Sequence, residues 1–344
     1  MDLPGVPSAV LGELKAAARE AGLSRLALVG GVVRDWLLHC SHGRHWTGVP
    51  DLDWVVEGEA AQLASVLQRR CGSQRVTGVQ EHGAFATVAL QLDGVPLDLA
   101  TARQEHYPGP AHNPVVQPGS LESDLVRRDF TINAMALDLL SGELIDPHGG
   151  QQDLQAGRLA FLHEGSVADD PTRVIRAARY GARLGLELSP QARLQVEQTV
   201  ASWPWAWHVG DAAETAPPAL ATRLRMELDR LLEREPWRQA LALLEDWRAL
   251  SLLDPALQRD QKRNRRLGWG QRLGLPLLPL LLAAAMDPLA VARRLQIPGQ
   301  QQQWLDQMLE LRRWLLTDAP ALTATPDGWT TALEGRGWSP QGVA

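Results

Sequence analysis

The chain has 344 residues, more than one compact core usually accommodates, and this length predicts about two to four domains. A hydrophobic content of 45% and a charged content of 22% are typical of globular proteins. The net charge of −6 argues against a protein that coats nucleic acid indiscriminately, although it allows a local basic groove. The two cysteines, Cys40 and Cys71, form no CxxC pair and predict a reducing cytoplasm rather than a disulfide framework.

The sequence predicts no membrane partner. We expect no secretory leader, because no charged segment followed by an apolar segment occurs at the start. The longest apolar stretch, Leu273–Ala285, is interrupted by Pro276 and Pro279 and is too short to cross a bilayer.

Short strands alternate with helices over the first 140 residues. The apolar pattern predicts a helix over Ser8–Ala21, a strand over Arg25–Val29, a helix over Val32–Leu38 and a strand over Asp51–Glu57.

Two hairpins are expected in the same region. Phe85–Leu92 alternates polar and apolar residues and meets Val95–Thr101 across Asp93-Gly94, which is the strongest short hairpin signal in the chain. Met135–Leu140 and Glu143–Asp146 form a second hairpin around a Ser-Gly turn. Together these elements predict an α+β domain with a mixed or mostly antiparallel sheet.

After residue 150 the chain reads almost entirely as helices separated by prolines. Thr172–Leu184 is amphipathic and is followed by Gly185, a typical C-terminal stop. Further helices are expected over Ala219–Glu233 and Pro236–Leu250. The character of the chain therefore changes near residue 140.

A glycine turn and three carboxylates predict a site for phosphate and metal. Gly30-Gly31 ends a strand and opens a helix, so its backbone N–H groups could cradle a triphosphate, although a plain turn is equally consistent. Asp51 and Asp53 are two residues apart on a predicted strand, so both project to one face, where oxygen ligands suit Mg²⁺. Taken alone, such a pair is more often a solvated strand face. Asp98 is either a third acidic group of the same cleft or, equally consistent with the sequence, a partner of Arg103 or another nearby Arg.

Several short motifs follow one another between residues 25 and 235. The first three read Gly30-Gly31-x-Val33-Arg34-Asp35, Asp51-x-Asp53 and Arg127-Arg128-Asp129-Phe130-Thr131-Ile132-Asn133-Ala134. Two more read Asp146-Pro147-x-Gly149-Gly150-x-x-Asp153-Leu154 and Asp169-Asp170-Pro171-x-Arg173-x-x-Arg176, and a weaker one reads Arg223-Leu224-x-x-Glu227-Leu228. In this order the motifs resemble bacterial class II tRNA nucleotidyltransferases and the related bacterial poly(A) polymerases. Residues 236–344 match no family motif.

The resemblance implies an α+β nucleotidyltransferase head with a mixed sheet, followed by an all-helical neck, body and tail. The catalytic head is expected over residues 1–140, the neck with a base-reading helix over residues 141–235, and a tRNA-binding body and tail over residues 236–344. The implied reaction is template-independent addition of C and/or A to the 3′ end of tRNA from CTP and ATP, with release of pyrophosphate.

Two alternatives remain open. Poly(A) polymerase shares the chemistry but uses ATP repeatedly, and the acidic pI of about 5.9 disfavours it. A non-catalytic RNA-binding protein on the same fold is the second alternative, which the intact Asp51 and Asp53 disfavour. Some relatives add only CC and others only the final A, so partial activity is also open.

The resemblance also implies residue roles. Asp51 and Asp53 would hold two Mg²⁺ ions, one activating the 3′-hydroxyl of the tRNA and one binding the triphosphate. The implied nucleotide-binding residues of the head are Gly30, Gly31, Arg34, Arg128, Asp129 and Asn133. For Arg127-Arg128-Asp129, a salt-bridged helix start is the alternative interpretation.

The segment Asp169–Arg183 carries the implied base-reading residues. At 100° per residue its arginines at 173, 176, 179 and 183 share an arc of about 120°, which alone would be an ordinary solvated helix face. The resemblance implies that Asp170 accepts from the exocyclic amine of cytosine or adenine and that Arg173 donates to the neighbouring ring acceptor. By analogy with duplex readout, such a pair discriminates by roughly 1–3 kcal/mol. Arg176 and Arg179 would then face phosphates.

Two features bear on the switch from C to A addition. Asp169 stands where the family usually has Glu, so a longer side chain is missing at the edge of the base pocket. Gln104–Ser120, rich in Pro and Gly, occupies the place of the family's flexible loop.

Overall fold

A computed structural model describes residues 3–46, 48–83, 86–317 and 326–343 of the chain. The chain divides into two compact units. The first unit comprises Met1–Pro108, Pro114–Ser166 and Glu187–Ala192, and the second comprises Gly109–Asn113, Val167–Leu186 and Arg193–Ala344.

The first unit contains all the strands of the described chain. They are β1 (Leu26–Val29), β2 (Asp53–Val56), β3 (Val76–His82), β4 (Thr87–Leu92), β5 (Val95–Thr101), β6 (Arg103–His106), β7 (Val115–Pro118), β8 (Ala136–Asp138), β9 (Leu144–Ile145), β10 (Arg158–Leu159) and β11 (Glu187–Leu188). Its helices are α1 (Ser8–Glu20), α2 (Gly31–His42), α3 (Ala60–Cys71), α4 (Leu121–Val126) and α5 (Gly150–Gln155).

A seven-stranded mixed sheet forms the centre of this unit, with the strand order β3-β4-β5-β2-β1-β8-β9. The pair β2–β5 is parallel, and the other neighbours are antiparallel. The sheet and its helices confirm the α+β prediction. Two small pairs lie outside it, the antiparallel hairpin β6–β7 and the parallel pair β10–β11.

The hairpin at Asp93-Gly94 is confirmed. Leu92 pairs with Val95 across the turn, and Asp93 and Gly94 have φ angles of 51° and 81°, as a two-residue turn of this twist requires. Phe85, the predicted first residue of the hairpin, lies outside the described residues.

The second unit is helical. It contains α7 (Thr172–Leu184), α9 (Thr222–Arg234), α10 (Trp237–Asp246), α11 (Arg263–Arg272), α12 (Leu277–Leu282), α13 (Pro288–Arg294), α14 (Gly299–Thr317), α15 (Pro326–Glu334) and α16 (Pro340–Val343), and most of α6 (Ser166–Asp169) and α8 (Pro190–Ser202). Helix α7 has the predicted bounds and ends at Gly185 with a φ of 73°. It buries Val174, Ile175 and Ala178, so its apolar side is confirmed as a core face.

Several predicted boundaries are wrong: helix α2 runs to His42 rather than ending at Leu38, and three further differences have local reasons. Strand β2 begins at Asp53 rather than Asp51. The antiparallel strand β1 pairs with β2 only over Trp54–Val56, because the chain turns away at Gly30 after the end of β1. Helix α9 begins at Thr222, after a 3-10 turn over Pro218–Leu220. Helix α10 ends at Asp246, since Arg248 adopts a left-handed φ of 57°. Within the described ranges, no helix combines the length and apolarity that a bilayer crossing needs.

Candidate functional site

Two carboxylates face each other across the parallel strand pair of the first unit. Asp53 on β2 is in register with Asp98 on β5, and the Asp98 amide donates to the Leu52 carbonyl at 3.0 Å. In-register residues of neighbouring strands lie about 5 Å apart and project to the same face of the sheet. The fold therefore brings Asp53 and Asp98 together from segments that are distant in the sequence.

The charges around Asp53 favour a bound cation. Neighbouring protein atoms displace water around its carboxylate and raise its pKa, and the negative charges of Asp98 and Asp51 raise it further. The Arg128 guanidinium acts in the opposite direction. Asp51 lies in the exposed segment before β2, so the prediction that it lies on the strand is wrong, but its charge still reaches Asp53.

The donor set fits a hard divalent metal ion. Carboxylate oxygens at one sheet face are the ligands that Mg²⁺ prefers, and a cation would relieve the repulsion that raises the Asp53 pKa. In the part of the chain that the structure describes, no three His, Cys, Asp or Glu side chains form a ready-made metal cage. Mg²⁺ usually keeps several waters and binds through one or two carboxylates together with substrate phosphates.

The glycine turn places backbone next to an arginine. Gly30 has φ 76° and ψ −135° and precedes the first residue of α2, whose N-terminus has no side-chain cap. A Cβ on Gly30 would lie 3.0 Å from Nη1 of Arg128. The positive N-terminus of α2 and the Arg128 guanidinium thus lie close together at this turn, and the arrangement is suited to binding a phosphate group.

Arg128 is anchored by a carboxylate that the sequence analysis missed. Asp124 is fully buried; its Oδ2 accepts from Arg128 Nη2 at 2.8 Å and its Oδ1 from Arg127 Nη2 at 2.6 Å. Burial acts to raise the pKa of Asp124, but the two guanidinium charges outweigh it and hold the pKa below its ordinary value. The arginines follow the end of α4 rather than starting a helix, and their spacing from Asp124 was the available signal.

Three further predicted residues form one buried hydrogen-bond network. Arg34 donates from Nη1 to Asn133 Oδ1 at 2.7 Å, and Asn133 donates from Nδ2 to Asp129 Oδ1 at 2.9 Å. Arg34 also donates from Nε to Asp35 Oδ1 at 2.9 Å. All three predicted side chains are buried, so their positions are fixed by one another.

The motif Asp146–Leu154 supports this network through contacts with the Thr131 segment. Asp146 accepts from the Gly150 amide at 2.7 Å, and a Cβ on Gly150 would lie 2.3 Å from the Thr131 carbonyl oxygen. Asp153 accepts from the Thr131 hydroxyl at 2.7 Å and from Arg158 Nε at 3.0 Å. These residues hold the segment that carries Asn133.

Asp170 belongs to the second unit and is buried there. Its Oδ1 accepts from the Thr172 amide at 3.1 Å and from the Thr172 hydroxyl at 2.5 Å, and its Oδ2 accepts from Nη2 of Arg223. Arg173 is also buried, which is incompatible with a simple solvated face. The contact with Arg223 links two motifs whose partners the sequence alone did not identify.

Arg176 and Arg179 share a buried carboxylate on α9. Glu227 accepts from Arg176 Nε at 3.1 Å, from Arg179 Nη1, and from Arg230 Nη1 at 2.9 Å. Arg179 also donates to Glu235 at 3.2 Å. The predicted role of Arg176 and Arg179 in phosphate binding stays a prediction, and their shared partner Glu227 is a residue that the sequence named only as part of the weaker motif.

The predicted switching segment contains the hairpin β6–β7. Arg103, the alternative partner of Asp98, donates from Nη2 to Glu105 at 2.9 Å. Ala111, between the two strands, belongs to the second unit, where its amide donates to the Ala168 carbonyl at 3.1 Å. Asp169 is half-buried.

The chain resembles known proteins along most of its length. The family described as "Poly A polymerase head domain" matches residues 26–160. The CC-adding tRNA nucleotidyltransferase of Deinococcus radiodurans is 38% identical over 292 residues, which are 81% of this chain and 69% of that protein. The A-adding tRNA nucleotidyltransferase of Aquifex aeolicus is 38% identical over 248 residues, 71% of this chain but only 27% of the relative.

A solved structure shows a similar fold. The Thermotoga maritima CCA-adding enzyme complexed with tRNA_CCA superposes with a TM-score of 0.70 at 25% identity, covering 99% of this chain and 78% of the other.

Proposed function

The chain belongs to the family of tRNA nucleotidyltransferases and poly(A) polymerases, and we propose that it adds C and/or A to the 3′ end of tRNA. The substrates are CTP and ATP, and pyrophosphate is released. The observation that carries this proposal is the in-register pair Asp53 and Asp98, with Arg128 acting on Asp53 and lying against the Gly30 turn.

Nucleotidyltransferases of this family generally use divalent metal ions. We propose that Asp51 and Asp53 hold two Mg²⁺ ions, with Asp98 completing the acidic face. When bound, the ions would activate the attacking 3′-hydroxyl and stabilise the charge on the departing pyrophosphate. The raised pKa of Asp53 supports this assignment, because burial and then the charges of Asp98 and Asp51 disfavour its ionised form, which a bound cation would stabilise.

The head residues are proposed to bind the sugar and phosphates. Arg128 and the backbone of the Gly30-Gly31 turn offer positive charge and N–H donors to the triphosphate. Asp129, held by Asn133, is suited to accept from a ribose 2′-hydroxyl, which would favour ribonucleotides over deoxyribonucleotides. Arg34 orients Asn133.

The base is proposed to be read by Asp170 and Arg173, and Arg176 and Arg179 are proposed to contact phosphates. An ionised carboxylate accepts from the exocyclic amine of cytosine or adenine, whereas uracil and guanine present a carbonyl there. The burial of Asp170 and Arg173 supports this role, because charged side chains read hydrogen-bond patterns most sharply when water is excluded.

We propose a cytoplasmic enzyme with a catalytic head over residues 1–140, a neck over residues 141–235 and a tRNA-binding body and tail over residues 236–344. Apart from the short strand β11, the regular elements of the described residues after 166 are helices, which supports the last two divisions.

The test is incorporation of labelled CTP and ATP, with Mg²⁺, into three tRNAs that end before CCA, after C and after CC. Sequential addition of C, C and A would identify a complete CCA-adding enzyme. Addition confined to CC or to the final A would identify a partial enzyme. Repeated ATP use on any RNA would instead identify a poly(A) polymerase.

A pair of variants separates the metal site from general charge effects. Asp53→Asn should abolish incorporation. Asp93→Asn, in the exposed hairpin turn where Asp93 pairs with Arg75 at 2.9 Å, should leave incorporation unchanged. Full activity of Asp53→Asn would refute the metal-site assignment and revive the non-catalytic alternative.

A further inference from the structure

Asp170 receives its hydrogen bonds from two different elements of the second unit. The Thr172 amide and hydroxyl donate to Oδ1, and Arg223, near the start of α9, donates from Nη2 to Oδ2. A carboxylate has about four lone-pair positions. Three are therefore used within the unit, and the remaining one lies on Oδ2, beside Arg223.

The charge state of Asp170 depends on arginines. Burial acts to raise its pKa, and Arg223, Arg176 and Arg173 together hold the pKa below its ordinary value, with Arg223 the largest contributor among them. Arg173 and Arg176 lie on α7, and Arg223 is the cation that α9 brings to this carboxylate. Removing the Arg223 charge should therefore raise the Asp170 pKa, because burial is then less strongly opposed.

The other terminal nitrogen of Arg223, Nη1, keeps an unused hydrogen-bond donor. Its Nη1 is buried and has no hydrogen-bond partner among the described residues. The guanidinium is planar, so Nη1 is held rigidly next to the Nη2 that contacts Asp170. An acceptor position on Asp170 and a donor on Arg223 consequently lie side by side.

We propose that Arg223 is a positioning residue of the base-reading site, which keeps Asp170 ionised and aims its Oδ2 at the exocyclic amine of cytosine or adenine. A protonated Asp170 would carry an O–H donor and would donate it to the carbonyl oxygen of uracil or guanine instead. Selectivity for C and A over U and G is thus controlled through the charge on Arg223. This inference rests on the proposed function, because it takes Asp170 as the base-reading carboxylate.

The test measures the ratio of kcat/KM for CTP or ATP to that for UTP or GTP between pH 6 and pH 9. Wild-type selectivity should not change with pH. In Arg223→Ala it should fall severalfold as the pH is lowered to 6 and recover as the pH rises, because the Arg223 charge then no longer holds the Asp170 pKa down. Arg223→Lys, which keeps the charge, should restore selectivity that is independent of pH.

Two variants serve as controls. Arg230→Ala removes a cation from the same helix that pairs with Glu227 rather than Asp170, and its selectivity should match the wild type at every pH. Asp170→Asn should lose selectivity at every pH. Thermal melts of all variants establish that they are folded.

The outcomes separate the two proposals. Wild-type selectivity of Asp170→Asn would refute the base-reading role of Asp170 itself. Loss in Asp170→Asn combined with wild-type behaviour of Arg223→Ala would refute only the role of Arg223. A selectivity loss in Arg223→Ala that is independent of pH and not rescued by Arg223→Lys would also refute it, since packing alone would then explain the effect.

Discussion

Replacing the buried carboxylate of Asp124 should loosen the anchor of Arg128. Asp124→Asn keeps the shape but removes the charge that pairs with both Arg127 and Arg128. Breaking a buried ion pair costs about 3–5 kcal/mol, and since the two arginine side chains remain 19% and 17% exposed, we expect the lower end, about 3 kcal/mol. Arg128 would also lose its fixed position beside the Gly30 turn, so the KM for CTP should rise.

The assay is urea unfolding of wild type, Asp124→Asn and the matched variant Glu122→Gln. Glu122 lies on the same helix but its side chain is 55% exposed, so its pair with Arg25 should contribute less than about 1 kcal/mol. Because the folded-state pKa of Asp124 is lowered, its contribution is present above the unfolded pKa of about 4 and is lost as the pH falls through the folded value. Equal stability of the two variants at pH 7 would refute the anchoring argument.

Two other predictions concern the head. Gly30→Ala and Gly94→Ala both force alanine into a positive φ, 76° and 81°, and each should lose about 1–2 kcal/mol of unfolding free energy. Only Gly30→Ala should also lower incorporation, because its Cβ would contact Arg128, whereas nothing lies within 4 Å of a Cβ at Gly94. Equal activity of the two variants would contradict this prediction. EDTA should abolish incorporation and Mg²⁺ restore it. Since the Asp53 pKa is raised, incorporation should fall with decreasing pH. A higher Mg²⁺ concentration should move this fall to lower pH, because a bound cation favours the ionised carboxylate. A pH profile that does not depend on the Mg²⁺ concentration would argue against Asp53 as a ligand.

Features encoded by neighbouring residues could be predicted from the sequence. The Asp93-Gly94 hairpin and helix α7 depend on turn residues and on a periodic pattern that lie within a few residues of each other. The predicted turn of the hairpin and the predicted bounds of β5 and α7 are therefore accurate. The position of Asp51 was not predictable in the same way, because the start of β2 is decided by where its neighbour β1 turns away at Gly30.

Contacts between distant segments could not be predicted from single motifs. The register that sets Asp53 beside Asp98 depends on how two strands align in parallel, and no local pattern specifies that alignment. The pairing of Asp170 with Arg223 spans 53 positions. The motifs named the candidate residues, while strand pairing and helix packing determine which of them touch.

The two sets of proposed functional residues lie in different structural units. Asp53, Asp98 and Arg128 all belong to the first unit, whereas Asp170, Arg173 and Arg223 all belong to the second. In the proposed roles, bond-making chemistry and choice of base therefore depend on hydrogen bonds that lie within separate units. A chimera that takes residues 193–235 and 167–186 together from a relative of different specificity would exchange the proposed base-contacting residues while keeping the sequence of the acidic strand pair.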